Sequence, residues 1–129
     1  MSLPVATPPA IPDYAREALQ ALDLPTGRFV ALVPLAQLCG ADPRAALAEL
    51  QPQGERALAY LGSPREGLLP LVHVNAVPTW LSKRTEGGPV QVERRAALLA
   101  LWPALLEAWP PELVHVLPPG YANAAQALG

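Results

Sequence analysis

Between residues 28 and 74 the apolar positions switch from strand-like to helix-like spacing and back. Residues 28–33 (RFVALV) form a short apolar run with β-branched and aromatic side chains behind a Pro25-Thr26-Gly27 turn, which predicts a strand. Pro34 can open a helix because its missing N–H would be unpaired in the first turn. Leu35, Leu38 and Cys39 follow at helical spacing, and Gly40 is a stop. Asp42 and Pro43 then read as the cap and first position of a second helix running to about Gln51, with Ala46, Leu47 and Leu50 on one stripe and Pro52 ending the run. Two apolar segments, 56–61 and 68–74, flank a run from Gly62 to Gly67 that is rich in turn formers, so they predict a hairpin.

The remaining segments are read the same way. A third helix is expected from Val77-Pro78, carrying Trp80 and Leu81 inward and ending at Gly87-Gly88. The longest helix should span 90–109, where Leu98, Trp102, Leu105 and Trp109 share a face. Pro103 predicts a kink or split, because it lacks the donor for the Leu99 carbonyl. Residues 13–22 are expected to be a helix capped by Asp13, with Tyr14, Ala18, Leu19 and Leu22 aligned. Residues 112–117, bracketed by proline pairs, suggest an edge strand or an arm on a neighbouring subunit, and 121–129 an Ala-rich frayed helix.

The order strand, helix, turn, helix, hairpin builds a winged helix-turn-helix. The predicted class is therefore α+β, a winged helix-turn-helix-like core followed by a long carboxyl-terminal helix. The layout is a flexible Pro-rich lead-in (1–12), one domain (13–109) and a Pro/Ala-rich arm (110–129). The 129 residues suffice for one domain with a real core.

Composition narrows the chemistry. One cysteine cannot form an internal disulfide, no apolar run reaches membrane-spanning length, and no leader pattern opens the chain, so a cytoplasmic protein without a membrane partner is expected. Cys39 has no flanking basic residue and lies on an apolar stripe, which favours a buried hydrophobe over a nucleophile. His73 and His115 each sit between valines in expected strands, so alternation places them opposite the valine face and not together as metal ligands. With no phosphate loop and no nucleophile elbow, the expectation is a non-enzymatic chain with no catalytic residues, no metal and no cofactor.

Several of these segments also resemble one family. The stretch from Phe29 through Val30-Ala31-Leu32-Val33-Pro34 to Asp42-Pro43, then Leu69-Pro70-Leu71 running into Trp80-Leu81, then Val92-Glu93-Arg94-Arg95 leading to Leu105, Glu107 and Trp109, is similar to the amino-terminal domain of phage antirepressors. That family is related to BRO-type DNA-binding domains, and the similarity covers about residues 29 to 109. It implies a winged-helix-like module that binds DNA or engages a repressor protein. This chain departs from the pattern by having little charge in the second helix and by carrying Pro103 in the long one.

Electrostatics bear on that expectation. Nine Lys/Arg face eleven Asp/Glu overall. Residues 42–95 hold seven basic against six acidic side chains, a net of +1, and the rest hold two against five, a net of −3. Arg44, Arg56, Arg65, Lys83 and Arg84 are the candidates for backbone phosphates, and Arg44 and Gln51 for base edges. The expected function is a DNA-binding regulatory module of antirepressor type acting in transcription control. The alternative is a protein-interaction module, repressor-binding or self-associating, that keeps the fold without binding DNA. A homodimer is expected, and Leu98, Trp102, Leu105 and Trp109 are the candidates for its interface or for that with another partner.

Overall fold

One apolar row crosses every strand of the structure. Leu58, Val72, Val30, Ala21 and Val114 are successive partners across a five-stranded sheet of order β3-β4-β2-β1-β5, formed by β1 (Ala21–Leu24), β2 (Gly27–Ala31), β3 (Leu58–Ser63), β4 (Gly67–His73) and β5 (Val114–Val116). The computed structural model describes residues 7–63 and 67–116. All pairings are antiparallel except β5 on β1, which is parallel. The row faces four helices, α1 (Leu32–Leu38), α2 (Pro43–Leu50), α3 (Val77–Ser82) and α4 (Pro89–Glu107), whose buried side chains complete a single apolar cluster. The architecture is thus mixed α+β, with a long helix near the carboxyl end.

The hairpin predicted after Gly54 is present as β3 and β4, paired residue for residue from Leu58↔Val72 to Ser63↔Gly67. Pro70 is tolerated in β4 because its position would donate toward β2, and that strand has already turned into α1 beyond Ala31. The expected strand 28–33 is β2, which gives way to α1 at Leu32, two residues before Pro34.

Residues 13–22 do not form the expected helix. A 3-10 turn covers Asp13–Ala15, one further turn closes with Leu19 N–H on the Ala15 carbonyl at 3.0 Å, and Ala21 already belongs to β1. The reason is the hairpin register: Leu24 pairs with Gly27, so Pro25-Thr26 is a two-residue loop and needs a strand on each side. Asp23 and Arg28 face each other in that register, and the guanidinium grips the carboxylate at 2.7 and 3.1 Å.

Helix α3 stops at Ser82 and not at Gly87-Gly88, because the Arg84 Nε donates to the Trp80 carbonyl at 3.3 Å and caps its last turn. Helix α4 is unbroken through Pro103, whose side is exposed, so no split occurs. Trp102 on its inner face is fully buried, donates its indole N–H to the Val74 carbonyl at 2.8 Å, and meets Trp109 edge-on at 5.6 Å. The edge strand expected within 112–117 is β5. The expectations for residues 1–6, for the tip residues 64–66 and for 121–129 lie outside the described residues.

Gly40 links two connections. At φ +73° it lets α1 end with Ala41 N–H on the Ala36 carbonyl (2.9 Å) and Gly40 N–H on the Gln37 carbonyl (3.2 Å), and a Cβ there would stand 2.9 Å from the Gly87 Cα. Gly40→Ala is therefore expected to cost about 1–3 kcal/mol. Urea melts should show a lower midpoint at unchanged slope, and a midpoint equal to the parent's contradicts the close approach.

Candidate nucleic-acid interface

Two short helices joined by the Gly40 turn present the surface that the sequence singled out. Asp42 caps α2 by accepting from the Ala45 N–H at 3.3 Å, with Pro43 in the first helical position. Only Ala46 and Leu50 are buried, and Leu47 packs partly against the core. Arg44, Ala45, Ala48 and Glu49 are exposed, as is Gln51 just beyond the helix. The eight residues of α2 span about 12 Å, a length that fits across a major groove.

The basic candidates divide into two groups. Arg44, Arg56 and Lys83 are exposed, whereas Arg65 lies outside the described residues. Arg84 is internal: its side chain is 5% exposed and its guanidinium pairs with both oxygens of Glu49 on α2, one of them at 2.8 Å. It also bonds Glu86 at 3.2 Å and lies 4.8 Å from the Trp80 ring centroid. Two carboxylates therefore neutralise this cation, and it fixes α2 to the end of α3. That makes it a positioning residue more than a phosphate contact.

The four expected interface residues, Leu98, Trp102, Leu105 and Trp109, are corrected by the structure. All four are buried within a single chain, packed against the sheet and the other helices. The large apolar residues that α4 leaves exposed are Val90, Val92 and Leu106. At its start, Arg95 is buried and donates to the Glu86 carbonyl at 2.8 Å, and Arg94 lies 4.5 Å from the Tyr14 ring centroid.

Arg94 and Tyr14 line a cleft of about 210 Å³ together with Glu17, Pro34, Gln37 and Leu38. It was not readable in the sequence, since its walls come from three distant segments. Its volume is below the roughly 300–1,000 Å³ of small-molecule sites.

The histidines stay apart. His73 lies edge-on to Phe29 at 4.9 Å, accepts from the Asn75 N–H at 3.1 Å, and faces away from the buried Val72 and Val74. His115 is exposed and bonds Gln20. Among the described residues no group of three or more His, Cys, Asp or Glu is placed to hold a metal ion. Among the described residues no helix is long and apolar enough to cross a membrane.

Cys39 is fully buried, and burial pushes its thiol up to about 11, against the pull of Arg95 and Arg84. The folded chain keeps a proton that the unfolded chain releases near the ordinary value of 9.0, so stability is full below pH 9 and declines as pH rises toward 11. The loss should reach about 2–3 kcal/mol in alkaline melts and vanish in Cys39→Ala, and a flat profile in the parent would count against the shift. For Arg84, Arg84→Lys should destabilise by about 1–3 kcal/mol, because an ammonium cannot reproduce the forked pairing with Glu49. A thermal midpoint matching the parent's would refute this.

The chain matches no protein-family model, no curated protein and no solved structure.

Proposed function

We propose that this chain is a non-enzymatic regulatory module of winged-helix type that binds DNA, with α2 toward the major groove and the β3–β4 hairpin as the wing. The observation that carries the reading is the exposure of α2 beside a fully paired hairpin. Arg44, Ala45, Ala48 and Glu49 face solvent while Ala46 and Leu50 anchor the helix, and β4 returns to pair with β2. That connectivity supports the antirepressor-like resemblance of residues 29 to 109. Contact would be backbone-led, through Arg44, Arg56 and Lys83, with Gln51 near the base edges. Alanines at the exposed positions of α2 leave little for direct readout, so DNA shape would carry what selectivity there is.

A second reading is favoured by two specific observations. Arg84 is committed to Glu49 and Glu86, which removes one cation from the basic set, and the hairpin exposes Leu68 at 55% and Leu69 at 42%. Exposed leucines on β4 and a nearly neutral helix suit a protein target, as in a repressor-binding module.

Salt dependence separates the two. If DNA is bound through the three exposed cations, fluorescence anisotropy with a short duplex should show affinity falling with salt at a log–log slope of about −2.7. Arg44→Ala should weaken binding to all duplexes alike and make that slope shallower by about 0.9. No binding at about 50 mM salt with tens of micromolar protein would reject DNA as the target.

A further inference from the structure

The two edges of the sheet are built differently. β5 is three residues long and follows directly on the Pro110-Pro111 pair and a 3-10 turn, a short edge that makes a poor template for further strands. β3, at the opposite edge, is six residues of Leu-Ala-Tyr-Leu-Gly-Ser with no charge and no proline. Among the described residues no strand pairs with its outer side.

The ladder determines which groups face outward. His73 N–H donates to the Ala57 carbonyl at 2.7 Å, so bonded pairs recur every second residue, at Ala59/Leu71 and Leu61/Leu69. The same alternation accounts for Val74 N–H reaching the Arg28 carbonyl, at 3.0 Å, on the other side of β4. The N–H and C=O groups of Leu58, Tyr60 and Gly62 therefore point away from β4, along the edge that no described strand pairs with.

We propose that β3 pairs with β3 of a second copy of this chain, antiparallel about a two-fold axis at Tyr60. Tyr60 then faces its own counterpart and Leu58 faces Gly62, so the three outward residues of each copy form about six backbone hydrogen bonds. The register is self-complementary and opposes no like charges. On the sheet face away from the helices, Leu61 comes beside Ala59 of the second copy. Because Leu61 already neighbours Leu69, and Ala59 neighbours Leu71, an apolar row runs without interruption from one sheet into the other. A second copy is favoured over an unrelated extended peptide by this symmetry and by the continuity of the row. The proposal does not rest on DNA binding, and the dimer does not use α4.

Sedimentation velocity on the full chain, from about 1 to about 200 µM, should show the mass rising from 13.6 kDa toward twice that value. Over the same range, amide exchange should slow at Leu58, Tyr60 and Gly62 and stay constant at Ala59 and Leu61, whose amides already bond β4. Tyr60→Lys sets two ammonium groups against each other at the axis and should give a monomer with an unchanged far-ultraviolet circular dichroism spectrum. If that variant does not fold, the amide exchange of the parent decides by itself. A monomer at every concentration overturns the proposal, as does a dimer that survives in folded Tyr60→Lys or leaves the three amides unprotected. Protection of those amides only on adding a different protein would assign the edge to that partner and also overturn it.

Discussion

The cross-strand row of Leu58, Val72, Val30, Ala21 and Val114 is the constraint on which the other elements depend. It gives the helices one apolar surface to share, and each side chain it buries contributes roughly 1.5–3 kcal/mol relative to exposure for the larger members. Helices α1, α3 and α4 cover it with fully buried leucines and Trp102, and α4 is further tied to the sheet by the indole bond to Val74. Helix α2 reaches the cluster only through Ala46, Leu50 and part of Leu47. Its outer half is therefore left to solvent, and its placement leans on Glu49 and the buried guanidinium of Arg84.

That ion pair joins two properties that are usually separate. A guanidinium with 5% of its side chain exposed must be paired to be tolerated, and Glu49, 42% exposed, keeps part of its hydration while doing so. The cation that holds the exposed helix in place is by the same geometry unable to attract a polyanion. The net charge of +1 over residues 42–95 thus overstates the positive potential available at the surface.

Much of the architecture was legible in local chemistry. The Asp42-Pro43 cap, the Gly40 stop and the paired segments around Gly62 to Gly67 each rest on interactions within a few residues, and each appears in the structure. What was not legible depended on distant partners. Tyr14, Ala18, Leu19 and Leu22 carry a helical spacing, yet Ala21–Leu24 is drawn into the sheet by β2 on one side and β5 on the other. Glycines at 87 and 88 suggested a helix end, but Arg84 folding back on Trp80 ends α3 earlier. The apolar face of α4 was visible as a face, and only the fold could tell that its partner is the chain's own sheet. For the candidate surface, exposure of Arg44 and Gln51 agreed with the pattern, whereas the capture of Arg84 by two carboxylates did not show in a linear count.

The parallel pairing of β5 with β1 also orders events in time. Ala21 waits for Val114, which lies 93 residues later in the chain. During synthesis at about 5–20 residues per second, the outer margin of β1 is left bare for some 5–20 seconds after it emerges, while every antiparallel pairing can already have closed. The last strand acts as a seal, and the nascent sheet must remain soluble until it arrives.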